Sequence, residues 1–334
     1  MDRMERFDTD PPVEVEELEL DGLEPGRFHR LAVSLIVDGA GRPVLVPVIV
    51  ATGVEPGRVV GITAAVHGNE LNGIPTIHRL LKTIDPGRLR GSVVGVPIVN
   101  VPGFLANQRT YTDGQDLNRT FPGKPDGNES QLYAWRFMDR IVSRFNFLVD
   151  LHTASFGRVN SLYIRANMTI PLTARLARLV GADIIVHNAG GDGTLRGAAA
   201  ALGIRSITVE IGDPQVFDAG MIRASRVGLR DLIEELGLVD PDGEAAERAA
   251  VECARSFWLH TDSGGLLTVA PELGQMVRAG ELIATMVNPW GQVVRQYHAP
   301  QDGIVVGKST NPVAQSGSRI LHLGIVAEPE RPES

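Results

Sequence analysis

The chain has 334 residues, of which 43% are hydrophobic and 22% charged, with a net charge of −8. That is the balance of an ordinary soluble globular protein with room for about two domains and a core that needs no staples. The acidic balance argues against nucleic acid as a partner, because phosphate binding wants a basic surface, and the single cysteine, Cys253, excludes an internal disulfide and any cysteine-built zinc or iron–sulfur site.

The acidic stretch 13–20 reads as an edge strand or a partly ordered arm. Residues 30–37 and 44–51 are strand-like and joined by the turn Asp38-Gly39-Ala40-Gly41. The run 58–66 is short, apolar and β-branched, as in a strand buried on both faces, and 71–84 has helical spacing. Strand signals follow at 92–99, 147–151, 161–165, 183–186 and 204–211. They are separated by helical patterns at 129–145, 171–179, 194–202 and 218–236. Such alternation predicts an α/β domain with a largely parallel sheet. After Leu236 come a turn cluster at 240–243 and a short polar helix at 244–254. From 257 to 326 there are only short β-like runs punctuated by glycine and proline, which predict a small all-β module. The tail 327–334 is expected to be disordered.

Residues 1–12 are polar and hold no apolar signal-peptide core, and no apolar run approaches the roughly 20 residues of a spanning helix. A cytoplasmic protein without a membrane partner is the expectation, and a homodimer is the commonest assembly for a soluble enzyme.

Four segments carry candidate chemistry, all at strand ends or in the loops after them, where open α/β sheets place their sites. His67-Gly68-Asn69-Glu70 can present nitrogen and oxygen to one metal ion. With eight histidines in the chain, it reads equally well as a turn histidine and a surface carboxylate. Asp150-Leu151-His152-Thr153 ends another apolar strand. His152 can supply a further ligand, and Asp150, two residues earlier on the same strand face, can hold its imidazole from behind. Two histidines and one glutamate match the composition of catalytic zinc sites with a position left for water. In the loop 109–123, adjacent Asn118 and Arg119 can clamp a carboxylate, and Arg109 can aim a charge at a developing oxyanion. In Ser206-Ile207-Thr208-Val209-Glu210-Ile211-Gly212, Glu210 sits inside an apolar strand, which is costly unless it is partnered. It reads either as a salt-bridged carboxylate or, near an activated water, as a general base and then acid.

Taken in order, HGNE at 67–70, DLNRTFPG at 116–123, DLHT at 150–153 and VEIG at 209–212 resemble the succinylglutamate desuccinylase/aspartoacylase family of the zinc carboxypeptidase superfamily. The segments GGLLTVAPELGQMVRAGELI and HAPQDGIVVG look like its β-rich C-terminal domain. The resemblance implies a mixed sheet flanked by helices, with an N-terminal arm over 1–25, a catalytic domain over 26–240, and a linker helix and β-rich domain over 241–330. It implies one zinc ion per chain on His67, Glu70 and His152, with Glu210 activating the attacking water. Asn118 and Arg119 would hold a substrate carboxylate, and Arg109 would polarise the scissile carbonyl. Arg196 stands where aspartoacylases carry a further arginine for a second substrate carboxylate and would be a substrate contact, and Tyr297 is the candidate for a tyrosine lent by the C-terminal domain. The spacers around Arg109 and Arg196 look longer than in aspartoacylases.

The implied activity is hydrolysis of the amide bond of a small N-acyl amino acid, with the N-acetyl-diaminobutyrate deacetylases as a candidate branch. A peptide-cleaving metallocarboxypeptidase and a non-catalytic binding protein on the same fold are the alternatives. The β module also resembles biotinyl/lipoyl half-barrels in its glycine spacing. It lacks a lysine in the setting such carriers modify, so a lid that narrows the cleft against large peptides is the expected role.

Overall fold

The computed structural model describes residues 11–191, 193–241, 243 and 249–327. In chain order the first part runs β1 (Val13–Val15), β2 (Arg27–Val37), β3 (Pro43–Thr52), β4 (Glu55–Ala64), α1 (Gly73–Leu81), β5 (Arg90–Val96), α2 (Val101–Leu105) and α3 (Glu129–Arg140). It continues with β6 (Phe147–His152), β7 (Arg158–Asn160), β8 (Leu162–Ala166), α4 (Pro171–Leu179), β9 (Ile184–His187), α5 (Leu195–Ala201), β10 (Arg205–Ile211) and α6 (Ala219–Glu235). The C-terminal part is all β: β11 (Val251–His260), β12 (Gly265–Val269), β13 (Met276–Val277), β14 (Leu282–Val287), β15 (Val293–His298), β16 (Gly303–Ser309), β17 (Val313–Ala314) and β18 (Arg319–Val326).

The predicted strands and helices up to residue 236 are all present, with ends shifted by a few residues. The helix expected over 129–145 stops at Arg140 and tightens into a 3-10 turn at Val142–Arg144. The polar helix expected over 244–254 is not formed by its last residues. Residues 251–254 open β11, where Val251 pairs with Ile184 and Cys253 with Val326, so sheet pairing on both sides overrides local helix propensity. Residues 244–248 and the tail 328–334 lie outside the described residues.

One large mixed sheet carries the order β1-β2-β3-β5-β4-β6-β10-β8-β9-β11-β18-β16-β13. Its centre, β5-β4-β6-β10, is parallel, while β3-β5 and β10-β8 are antiparallel. The central strands are apolar on both faces because helices cover both. Ile62, Val149 and Val209 join α1, α4 and α6 in one core, whereas Val94 and Leu148 join α3 and α5 in the other. The C-terminal strands continue this sheet through the β9–β11 pairing, and they add a second four-stranded sheet, β15-β14-β12-β17, over a third core. No helix among the described residues is long and apolar enough to cross a membrane.

Candidate metal centre and its cavity

The site lies at the C-terminal ends of the parallel strands, the position open α/β sheets reserve for ligands. Leaving β4, Ala65 takes a left-handed conformation (φ 52°), uncommon without a glycine. The carbonyls of Ala64 and Ala65 accept the amides of Val99 and Asn100, both at 2.9 Å, which pins this turn against the start of α2. Gly68 fits there only without a side chain, since a Cβ would stand 2.0 Å from the carbonyl carbon of Gly103. The turn thus fixes His67 and Glu70 over the end of β6, which supplies Asp150 and His152. Glu210 of β10 pairs in register with His152, so both side chains stand on one face.

His67, Glu70 and His152 are buried, with ligand atoms all within 4.8 Å of one another. Both histidines turn Nδ1 toward Glu70: His67 Nδ1 lies 2.9 Å from Oε1, and His152 Nδ1 lies 2.8 Å from Oε2. Their far nitrogens are held by carboxylates, His67 Nε2 by Asp116 Oδ1 at 2.9 Å and His152 Nε2 by Asp150 Oδ2 at 2.7 Å. Asp150 in turn accepts from Thr63 Oγ1 at 2.8 Å. This carboxylate–histidine pattern orients an imidazole toward a metal and raises its basicity.

Burial opposes ionisation of Glu70, yet the charge of His67 and the hydrogen bond and charge of His152 hold its carboxyl well below the usual range. Burial likewise opposes a charge on His152, but Asp150 and Glu70 raise it well above the ordinary value. Buried carboxylate charge therefore favours positive charge within the cluster. His67 Nδ1, although buried and close to Glu70, has no hydrogen-bond partner among the described residues. Two imidazoles and a carboxylate, with one nitrogen otherwise orphaned, fit a metal of the zinc type.

These groups line a cavity of about 580 Å³. Glu210 accepts from Asn160 Nδ2 at 3.3 Å and faces Arg165 Nε at 3.5 Å. Arg165 also donates to Tyr163 Oη at 2.6 Å. Arg109 lies across the cluster, donating to Glu70 Oε1 at 2.9 Å and to Asp116 Oδ2 at 2.9 Å. Asn118 accepts the amide of Leu195 at 2.9 Å, and Arg119 Nη1 donates to the Asn118 carbonyl at 2.7 Å. Their loop is braced by Gly193 (φ 81°), where a Cβ would meet the Arg119 carbonyl oxygen at 2.5 Å. Arg196 donates to the carbonyl and the side chain of Asn188, and burial, then the nearby Arg165, lowers its pKa to about 10.

The structure brings His67, Glu70, Arg109, Asn118, Arg119, His152, Arg196 and Glu210 to one cavity, with Asp150 directly behind His152. Asn188 and Gly191, in the loop after β9, border it. Tyr297 does not line it. Its hydroxyl donates to Asp262 at 3.0 Å in the second sheet, and the C-terminal region contributes Trp258 and Arg319 instead. Sequence reasoning gave no role to Asp116, although it stands two residues before Asn118 in the same motif. It also missed Arg165, whose signal was the one used for Glu210: a charge in an apolar strand, Leu162–Ala166. Trp258 reaches the cavity through register. It pairs with His322, stacks on that ring at 5.1 Å, and meets Arg319 because β18 carries an extra residue, a bulge, between the pairs Trp258–His322 and His260–Arg319.

Comparison with known proteins places this geometry. An N-alpha-acetyl-L-2,4-diaminobutyric acid deacetylase of Halomonas elongata is 25% identical over 327 residues, covering 93% of this chain and 94% of its own. A succinylglutamate desuccinylase of Pseudomonas aeruginosa is 25% identical over 229 residues, 60% of this chain and 68% of its own. The crystal structure of a succinylglutamate desuccinylase from Silicibacter sp. TM1040 superposes with a TM-score of 0.80 at 25% identity, covering 93% of this chain and 97% of that one. A model of the succinylglutamate desuccinylase/aspartoacylase catalytic domain matches residues 56–236, and those residues contain every strand end and loop that supplies the His–Glu–His cluster. The chain accordingly belongs to the succinylglutamate desuccinylase/aspartoacylase family.

Proposed function

We propose that the protein is a zinc-dependent amidohydrolase that releases the acyl group of a small N-acyl amino acid. The observation that carries this reading is the buried His67–Glu70–His152 cluster, with the orphaned Nδ1 of His67, sharing one cavity with Glu210. Zinc held by those three residues would supply a Lewis acid for the scissile carbonyl and for a water molecule. Glu210 takes a proton from the attacking water and delivers it to the departing amine. Asn160 and Arg165 keep its carboxylate aimed into the cavity. Asn118 and Arg119 bind the substrate carboxylate, and that fixes the amide relative to Glu210. Arg109 is placed to meet charge developing on the carbonyl oxygen once it exchanges a contact with Asp116 or Glu70 for the substrate.

Small substrates are favoured over peptides because Trp258 and Arg319 wall one side of the cavity. The diaminobutyrate branch has the broad similarity to the Halomonas deacetylase behind it. The test is a hydrolysis screen with zinc-loaded protein across acetyl, succinyl and formyl derivatives of acidic, basic and neutral amino acids, alongside short peptides. Release of a carboxylic acid from acyl amino acids but not peptides is the expected result. Turnover confined to peptides would replace it with the carboxypeptidase reading, and bound zinc with no turnover of anything would favour a binding protein.

A further inference from the structure

The carboxylate of Glu210 is held from two sides, and the C-terminal strands stand behind both. On one side Asn160, the last residue of β7, donates to Oε2 at 3.3 Å. On the other, Arg165 of β8 faces Oε1 at 3.5 Å, and its guanidinium also donates to Tyr163 Oη at 2.6 and 3.1 Å. Tyr163 pairs in register with Glu210, so the two side chains share a face of the sheet. The strand fixes the Cα of Glu210, but the side chain has rotamers to choose from, and its partners decide where the carboxylate stands.

Those partners depend on residues from the β-rich region. Among the described residues, the strand partner of β7 is β16, and Gly307 lies opposite Asn160. The amide and the hydroxyl of Ser161 both donate to the Val306 carbonyl at 3.0 Å, and the amide of Thr310 donates to the Gly157 carbonyl at 2.8 Å. The approach at Asn160 is close. A Cβ on Gly307 would stand 2.4 Å from Asn160 Oδ1, so glycine at 307 leaves the space that the Asn160 amide fills. On the other side, Tyr163 is buried in a core shared with Cys253 of β11 and with Ile304 and Val306 of β16. His322 of β18 meets the edge of its ring, with centroids 5.9 Å apart at 71°. A ring packed in this way has one place for its hydroxyl, and the hydroxyl anchors Arg165.

We propose that the C-terminal β region takes part in catalysis by setting the carboxylate of Glu210, with β16 acting through Asn160 and the core around Tyr163 acting through Arg165. Asn160 and Tyr163 are positioning residues. The proposal rests on the amidohydrolase reading for the part that Glu210 plays. A general base must stand within hydrogen-bond reach of the proton it takes, and a displacement of about 1 Å can cost about 100-fold in rate. The region that supplies Trp258 and Arg319 to the cavity wall thereby acquires a second task.

The experiment compares the zinc-loaded wild type with Asn160→Ala, Gly307→Ala, the double variant Asn160→Ala/Gly307→Ala, and Tyr163→Phe. The substrate is the one turned over best among the acetyl, succinyl and formyl amino acids. Asn160→Ala, Gly307→Ala and Tyr163→Phe should each lower kcat about tenfold and leave KM within about twofold. The double variant should be no slower than Asn160→Ala, because the methyl at 307 acts by displacing an amide that is then gone. A rise in KM with kcat kept would make Asn160 a substrate contact and overturn the proposal. So would additive losses in the double variant, or full kcat in Gly307→Ala and Tyr163→Phe. Crystal structures of the wild type and of Gly307→Ala give a readout independent of turnover. If no compound is hydrolysed, the amidohydrolase reading fails, while a Glu210 carboxylate that leaves its place in the variant still upholds the brace and an unmoved one overturns it.

Discussion

The cavity has two regions built on opposite electrostatic plans. In the inner region each histidine turns one nitrogen to Glu70 and the other to Asp116 or Asp150, so three carboxylates converge on two imidazoles. At the outer wall Arg158 and Arg319 gather on Trp258 without a carboxylate partner among the described residues. The inner region gathers carboxylates around two imidazoles, and the outer wall gathers two guanidinium groups on one ring. The two regions are built on different strands, so each can be altered alone.

The largest effect belongs to the inner region. Glu210→Gln should lower kcat on the order of 10³-fold while zinc content by elemental analysis stays at one per chain. A variant that keeps normal turnover would remove Glu210 from the mechanism. Next, Asp150→Asn or Asp116→Asn should weaken zinc binding about 10- to 100-fold in a competitive chelator titration, because each leaves an imidazole without its orienting carboxylate. Unchanged affinity in both would mean that the cage is set by packing alone.

Gly193→Ala tests the joint between the regions. The new methyl has no room beside the Arg119 carbonyl, and the residue holds φ 81°. KM should rise about tenfold with kcat largely kept, and stability should fall by about 1–3 kcal/mol. A kcat loss with KM unchanged would show that the loop does more than hold a carboxylate.

The smallest effect concerns pH and sits under the outer wall. Burial, then the charges of Arg165, Arg319 and Arg158, hold His322 well below its ordinary value of 6.5. The folded protein leaves it neutral where the unfolded chain would protonate it. Its contribution to stability is complete above about pH 6.5 and declines as the pH falls below that, by up to about 1.4 kcal/mol per unit. Urea unfolding at pH 7.5 and 5.5 should show a smaller loss in His322→Gln than in the wild type, and identical losses would remove His322 from the account.

Much of this was legible in the chain because it is written locally. The strand–helix alternation predicts the α/β architecture, and the four motifs place the metal-ligand candidates and Glu210 at or just after strand ends and the Asn118-Arg119 pair in the loop before α3. What escaped is carried by pairing between distant segments. Residues 251–254 have helical composition but are captured between β9 and β18. Arg158, Trp258 and Arg319 lie far apart in sequence and converge only through the sheet. Tyr297 was a candidate through resemblance, yet its strand turns it to Asp262.

The bulge in β18 has a consequence for how such a protein can change. Strict alternation would send residues 319 and 322 to opposite faces of the strand, and the extra residue lets both reach Trp258. Straightening this strand with all its residues kept would swing Arg319 away from the cavity without altering any side chain that touches the metal ligands. Which side chains wall the cavity is thus decided by the backbone of a distant strand as much as by the residues on it.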